Sequence, residues 1–494
     1  MEHISATATP PFSSPVQLAT KAAAKALADA GVPHAACAID TIAVVRLFSD
    51  SAGAWSSPFG GSSNLPESIA RRIGARPQHR IYSYASGTQP LQLLREMFMA
   101  IAHGEKEMVL LAGAEAIGNQ RFALRQGFSD DWQEELDVAL DSREYSQRFA
   151  SSQELNSGMS LPVHYYALIE NYQSHQLGHT LEQHRQYMAN LMAPFSAVAA
   201  NNPYAQFKTS YSAEQLSHVD KANYPISLPY TKLLVAQDAV NQAAALLLTS
   251  VGNARQLGID PGQWIFLDAY AEGSDQCLAQ RSDPGRSLAM ERTLTTALGM
   301  AELGSAEMDL VDLYSCFPCA VNAACGVLQL PTDGSGQLTV TGGLPFFGGP
   351  GSNYSMHALA EMASRLRHSS QRGLVTANGG IMSNHAAAVL SNQPVISQRA
   401  DWCANDTLII DAQAIPAQPF ATNPNQGTVL SYTVIHQRDE ADLGIILAET
   451  DAGERFLAHS SDPLDTGAIG NNCPIGRRIS IQSEEQRHRF SFQT

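Results

Sequence analysis

Apolar residues along this chain fall into two alternating rhythms. Over residues 90–103, Leu91, Leu94, Phe98 and Ile101 recur at helical spacing, with Pro90 where a helix begins and Gly104 after its last apolar turn. A continuous apolar run over residues 108–112 follows and reads as a buried strand. The same order occurs earlier, where VQLATKAAAKALADAG reads as an Ala-rich helix closed by Gly31 and IDTIAVVRLF as the strand after it. It returns far downstream in ERTLTTALGMAELG and MDLVDLYSCF. Repeated helix-then-strand units predict an α/β protein built from two similar halves.

Two stretches break the rhythm. Residues 119–230 are polar, helix-rich and crowded with His, Gln and Tyr, which predicts an insertion in the first half. From residue 426 onward, QGTVLSYTVIHQRD, DLGIILAETDAGERFLAHS and GRRISIQS are short β-type runs separated by Asp-Ala-Gly and Asn-Asn turns, the pattern of a small β-barrel or sandwich. A Pro- and Asn-rich connector, residues 401–425, precedes it.

Length and charge narrow the function classes. At 494 residues and 44% apolar content the chain can bury a large core of two or three domains. A net charge of −16 opposes general binding to nucleic acid or to an anionic membrane. No apolar run approaches the ~20 residues of a membrane span, and MEHISATATPPFSS has neither a basic nor an apolar leader region, so a cytoplasmic protein is expected. Seven cysteines without regular spacing form no disulfide framework. Cys316 and Cys319 make a C-x-x-C, but no second pair with ligand spacing accompanies it and Pro318 sets Cys319 inside a helix start, which argues against zinc or redox chemistry.

The candidate chemistry sits before the helix of residues 90–103. In YSYASGTQPLQLL a turn leads into that helix, so backbone N–H groups ahead of Pro90 point out of a helix N-terminus, where the macrodipole favours a thiolate or a thioester oxyanion. A nucleophile fits this place, and the residue present is Tyr84. Thiolases carry a catalytic cysteine here in a pattern like C-[AS]-S-G-x-Q, followed by a helix, a strand and G-x-E. The chain resembles them in Tyr84-Ala85-Ser86-Gly87-Thr88-Gln89 and in Gly113-Ala114-Glu115, with tyrosine in the cysteine's position.

The resemblance continues. Where thiolases and sterol-carrier-type thiolases have N-E-A-F or H-D-C-F at a strand end, the chain has Tyr314-Ser315-Cys316-Phe317. Their G-H-P loop is similar to GGLPFFGGPGSNYSMHALAEM, with Gly349 in the histidine's position, and their final C-x-G to Ala377-Asn378-Gly379. The chain is identified as a member of the thiolase-like protein type 1, acetyl-CoA acetyltransferase-like group.

That resemblance implies a five-layer αβαβα thiolase fold of two similar halves with a helical loop-domain insertion and an appended small all-β, OB-like C-terminal domain. The halves would occupy residues 1–245, with the insertion at about 119–230, and residues 246–400; the connector and the β domain, residues 426–494, follow. Thiolases also open on a strand, and none is visible before Val16. The implied function is binding of coenzyme A or acyl-CoA within the acyltransferase family of lipid metabolism, with no required cofactor and no metal. Thiolytic chemistry is not expected, because it needs a thiolate, a histidine that lowers the thiol's pKa and a second cysteine. A phenol ionises only near about pH 10 and is far bulkier. The rival reading is a non-catalytic scaffold or regulator that keeps the fold.

Tyr84, Tyr314, Gly349 and Ala377 thus mark the degenerate catalytic positions, and His385 and Cys316 are the remaining reactive candidates. His385 precedes three alanines, the setting of a packed or capping histidine as much as of a base, and Cys316 is also read as a small buried residue at a strand end. Gly87, Gly348, Gly379 and Gly380, with His357, would border the thioester cleft, and Gly113 belongs to the same set of turns. Ser83 and Ser86 flank Tyr84 and read as helix caps. His164, His175, His179 and His184 in the insertion read as a solvated helical face rather than a metal site. The β domain carries six Lys plus Arg against ten Asp plus Glu, a poor phosphate groove even for an OB-like barrel, so it is expected to dock on the body or on a protein partner. The sequence sets no oligomeric state.

Overall fold

The computed structural model describes residues 1–494 except 4–10, 145–149, 305–306, 368, 370, 395–408, 412–413, 439, 485–486 and 493–494. In chain order the first half contains β1 (Glu2–His3), α1 (Pro15–Asp29), β2 (Thr41–Val44), α2 (Leu65–Ile73), β3 (His79–Tyr82), α3 (Gln89–Ala102), β4 (Met108–Glu115), α4 (Ile117–Arg125) and β5 (Asp141–Ser142). The inserted region, expected from about residue 119, follows β5, which still pairs with β3 in the first sheet; it contributes α5 (Ser152–Asn156), α6 (Pro162–Gln176), α7 (Leu181–Asn201), α8 (Ala213–Ser217) and the strands β6 (Pro225–Ser227) and β7 (Tyr230–Thr231), after which β8 (Gln242–Thr249) returns to the first sheet. The second half follows as α9 (Val251–Gln256), β9 (Phe266–Ser274), α10 (Leu288–Met300), β10 (Leu310–Asp312), α11 (Pro318–Leu328), α12 (Tyr354–Leu366), β11 (Arg372–Gly379), β12 (Asn384–Ser391) and β13 (Ile409–Ile410). The C-terminal domain consists of β14 (Gln426–Ile435), β15 (Leu443–Glu449), β16 (Arg455–Ser460), α13 (Pro463–Asn471), β17 (Arg478–Glu484) and β18 (Arg487–Phe492).

The local chemistry explains the main boundaries. Ser14 caps α1 through a reciprocal box with Gln17, and Pro15 opens the helix. Pro90 sits in the first turn of α3, and Gly104 at φ 74° follows its end. All eight residues of β4 are buried, because both faces of its sheet are covered.

Strand directions show the duplication. Along one sheet, β1 is antiparallel to β8, β8 antiparallel to β4 and β4 parallel to β2. Along the other, β9 is antiparallel to β12, β12 antiparallel to β11 and β11 parallel to β10. The helices α3 and α12 lie between the sheets, α1 and α2 cover the first from outside, and α10 with α11 covers the second, which gives the five layers αβαβα.

Several expectations change here. A strand does precede the first helix: Glu2 and His3 pair with Ala243 and Gln242, a strand too short to show a period. The connector supplies β13, whose Ile409 and Ile410 pair with Glu272 and Gly273, while residues 401–408 and 412–413 lie outside the described residues. The expected solvated histidine face holds for exposed His175 only. His184 is fully buried with Nε2 2.7 Å from Glu170 Oε1, His164 is buried and accepts from Ser160 N at 3.2 Å, and His179 is half-buried. The cause is that α6 packs against β14 and α11, which buries His164, while Glu170 of α6 takes up His184 of α7.

In the C-terminal domain the strands close a ring in the order β14-β15-β16-β18-β17-β14, with β16 parallel to β18 and α13 between the third and fourth strands, the layout of an OB-like barrel. It is joined to the body through shared structure. β6 of the insertion pairs with β14 at Ser227 and Ile435, and buried Asn171 Nδ2 of α6 donates to Leu228 O at 2.8 Å and Tyr432 O at 2.7 Å. Replacing Asn171 by Leu removes both bonds from a buried seam, each lost partner costing ~1–3 kcal/mol. The thermal unfolding midpoint of the variant should fall by several degrees; an unchanged midpoint would show that the seam does not hold the barrel.

Candidate functional site

Four loops carry the candidate residues; the first, second and fourth meet at the start of α3, and the third leads into α12, whose Ser355 Oγ donates to Gly87 O at 3.3 Å. The first connects β3 to α3. Tyr84 is half-buried there, and its hydroxyl donates to Gln92 Oε1 at 2.8 Å, an oxygen that also accepts from Thr88 Oγ1 at 3.1 Å. The phenol is thereby drawn along the first turn of α3. Ser83 Oγ donates to Tyr84 O at 2.8 Å, and Ser86 Oγ shares a hydrogen bond with Thr88 Oγ1 at 2.9 Å. Ser86 also takes up N–H groups that the sequence alone leaves pointing outward. Its carbonyl accepts from Gln89 N at 3.0 Å and its hydroxyl from Thr88 N at 3.4 Å.

The second loop follows β10 and brings Tyr314 to the same place. A Cβ built on Gly87 would lie 2.5 Å from Tyr314 Oη and would collide with Asn378 O, so the glycine is required by these neighbours. Tyr314 packs edge-on against Tyr354 at 5.4 Å, its backbone N–H donates to Thr376 Oγ1 at 2.8 Å, and burial holds its phenol above the ordinary range, neutral at all working pH values. Two residues on, Cys316 is buried, which pushes its thiol up to about 12; its Sγ lies 3.8 Å from Asn378 Nδ2.

In the third loop Gly348 has φ 122°, and a Cβ there would come within 2.6 Å of Gln242 Oε1. Gly349 N donates to Gln237 O at 2.7 Å, and a Cβ on Gly349 would meet nothing nearer than 3.3 Å. His357 lies further on, fully buried in α12, with its ring 5.3 Å from Phe347. The fourth loop joins β11 to β12. Buried Ala377 pairs with Ala386, Gly379 packs so closely on Ser86 Oγ that a Cβ would collide with it, and Gly380, at φ 60°, packs on Ser383.

The first, second and fourth loops therefore bring together Ser86, Gly87, Tyr314, Asn378 and Gly379, with the Tyr84 hydroxyl turned to Gln92 beside them. His385 stands apart in its contacts. Although it faces Asn378 across the β11–β12 pair, its Nε2 lies 2.9 Å from Met382 O and 3.0 Å from Ser287 Oγ, the cap of α10, and burial drives the imidazole down to about 4.

Sequence reading missed three residues. Tyr166 of α6 accepts from Asn378 Nδ2 at 3.1 Å and Met382 N at 3.0 Å and stacks on Phe317 at 4.3 Å, so the inserted region supplies a wall of the site. Asn353, the N-cap of α12, is buried with neither amide atom hydrogen-bonded and fills the space that a Cβ on Gly113 would need. Glu115 packs against Gly351 and accepts from Phe48 N at 2.7 Å; burial raises its carboxyl to about 8. Only Glu115 carried a signal, as the acid of the G-x-E.

These buried groups set a pH dependence. The raised Glu115 value means its contribution is full below the unfolded value of 4.5 and is lost as pH rises through about 8. His385 has the opposite sign: its contribution is present above 6.5 and is lost as pH falls through about 4. Thermal midpoints across this window should decline toward pH 8 in the parent but not in Glu115→Gln, and decline toward pH 4 less in His385→Gln than in the parent. Parallel curves for all three proteins would contradict both assignments.

The described residues contain no group of three or more His, Cys, Asp or Glu that could hold a metal ion, and no helix among them is long and apolar enough to cross a membrane. No protein-family model matches the chain. Over 238 residues it is 26% identical to the acetyl-CoA acetyltransferase of Methanothermobacter thermautotrophicus, a match that covers 48% of this chain and 54% of that one, so it spans about half the length of this curated relative. Among solved structures, the coenzyme A complex of the Acat5 thiolase from Ascaris suum matches 76% of this chain and 93% of its own at 15% identity and TM-score 0.54; human mitochondrial 3-ketoacyl-CoA thiolase matches 77% and 93% at 16% identity and TM-score 0.54. Both share the fold. A monomeric SCP2-thiolase like protein type 1 from Mycobacterium smegmatis matches 98% of this chain and 96% of its own, at 34% identity and TM-score 0.81. With that likeness running nearly end to end, this chain belongs to the SCP2-thiolase-like protein type 1 group of the thiolase superfamily.

Proposed function

We propose that the chain binds coenzyme A or a short acyl-CoA without thiolytic chemistry. The observation that carries the second part is the seating of Tyr314 and the Asn378 carbonyl on Gly87 at the first turn of α3. A thiolase mechanism needs a thiolate at that turn, an imidazole beside it and a second thiol for the α-proton. By the motif resemblance, Tyr84, Gly349 and Ala377 stand at those positions. A neutral buried phenol and amide groups can hold a carbonyl by hydrogen bonds but supply no nucleophile. Cys316 is no substitute, since its thiol is buried and raised to about 12.

Support for the coenzyme A part comes from the family and from the coenzyme A complex of the Ascaris suum thiolase, which shares the fold. The scaffold reading has its own observation. Gly87, Gly113, Gly348 and Gly379 each close on a side chain or carbonyl of this protein, so these positions need glycine whether or not a thioester approaches.

Titration calorimetry with coenzyme A and acetyl-CoA on the whole chain separates the readings. Saturable binding of both is expected, with Tyr314→Ala improving acetyl-CoA more than coenzyme A, because it opens room for the acyl group beside Gly87. No heat and no thermal stabilisation with either ligand would leave the scaffold. In parallel, neither the parent nor Tyr84→Cys should consume acetoacetyl-CoA in a coenzyme A-dependent manner; turnover by the parent would overturn the loss of thiolysis.

A further inference from the structure

A cavity lies away from the four loops, at the opposite end of the central helix layer. It is a cavity of about 950 Å³ between the two sheets, bounded by the C-terminal ends of α3 and α12, the end of β8 and the start of β9. A helix rises ~1.5 Å per residue, so Ile101 on its wall stands ~18 Å along α3 from Gln89. The volume lies in the range of small-molecule sites.

The walls are apolar. Phe98 and Ile101 from α3, Leu246 and Leu248 from β8, Ile265 just before β9 and Leu267 within it line the cavity, and all six are only half-buried. Elsewhere these elements are packed to full burial: Leu91, Leu93, Ala243, Ala244, Ala269 and Tyr270 are at most 1% exposed. Among the described residues, the middle layer therefore stops short of filling its own interior, and large aliphatic side chains are left facing a space that a ligand can enter.

The rim fixes the kind of ligand. Its charged groups offset one another: the Met1 ammonium sits in the field of Glu2, Asp29 and Glu361, Arg367 holds Asp29 through two hydrogen bonds of 2.6 and 2.9 Å, Lys25 Nζ lies 2.6 Å from Glu2, and Glu361 lies 2.9 Å from Arg365. Asp268 accepts from Ser391 Oγ at 3.0 Å. An anionic ligand would have to break one of these pairs and would meet Asp29, Glu361 and Asp268 as it entered. A neutral one displaces only water from apolar walls. We infer that this cavity is a binding site for an uncharged, largely aliphatic or alicyclic small molecule, separate from the site at the start of α3.

The test uses the full chain with N-phenyl-1-naphthylamine as a neutral fluorescent probe. Saturable enhancement near one probe per chain is expected, displaced by 1-dodecanol at concentrations at least tenfold below those needed with dodecanoate. Ala363, half-buried on the α12 wall, offers a graded block: Ala363→Leu should weaken probe binding and Ala363→Trp should abolish it, whereas Tyr314→Ala should leave it unchanged. Hydrogen exchange on the unmodified chain locates the site without variants, with slower exchange over residues 245–250 and 263–268 when dodecanol is bound. Absence of saturable binding, equal displacement by alcohol and carboxylate, loss of binding in Tyr314→Ala, or protection elsewhere would each overturn the inference. A parent that sediments as a dimer and an Ala363→Trp variant that sediments as a monomer would assign the cavity to a second copy of the chain and overturn it too.

Discussion

The closure of two halves on Gly87 is the constraint around which the site is built. Gly87 belongs to the turn before α3, in the first half, and the groups pressed against it, Tyr314 and the Asn378 carbonyl, come from two loops of the second half. Any side chain at residue 87 would part them, and with them the register that sets Ser86 against Gly379. A close approach of this kind is possible only where one partner has no Cβ. The same device recurs at Gly113, which admits the Asn353 side chain at the start of α12, and at Gly351, which admits Glu115. The helix layer between the sheets is thus located by contacts at its N-terminal ends, while its other end stays loosely filled.

The C-terminal barrel extends the body. Its first strand, β14, is continued by β6 and β7 from the inserted region, and its seam against α6 is closed by Asn171 and by Ser227 Oγ bonding Thr433 Oγ1 at 2.9 Å. The inserted region consequently faces two ways. On one side it carries the barrel; on the other, Tyr166 reaches Asn378 and Met382 at the four-loop site. A disturbance of the barrel seam has a short covalent and hydrogen-bonded path to that site through α6, a single helix.

Much of this architecture was legible because a local signal marked it. Pro90 and Gly104 bound α3 to within one residue of its observed ends, and the Asp-Ala-Gly turn set β15 apart from β16. What stayed hidden depends on partners distant in sequence. Two residues of β1 carry no period, and His164 and His184 look solvated until α6 and α7 are packed on both sides. The motifs alone assign Tyr84, Tyr314, Gly349 and Ala377 to the catalytic positions, and the contact of Tyr314 with Gly87 needs both halves folded together. Tyr166 had no motif at all, and the orphaned amide of Asn353 follows from burial, which one sequence does not display.

The central proposal is that the thiolase fold is kept while the Tyr314 phenol, seated on Gly87, closes the turn where thiolase chemistry would start. Its most direct test is turnover of acetoacetyl-CoA by two rebuilt proteins. The first carries Tyr84→Cys, Gly349→His and Ala377→Cys with Tyr314 intact; the second adds Tyr314→Asn. If the phenol closes the first turn of α3, the first protein remains inactive and measurable coenzyme A-dependent cleavage appears only in the second. Cleavage by the first, with Tyr314 still in place, would contradict the account.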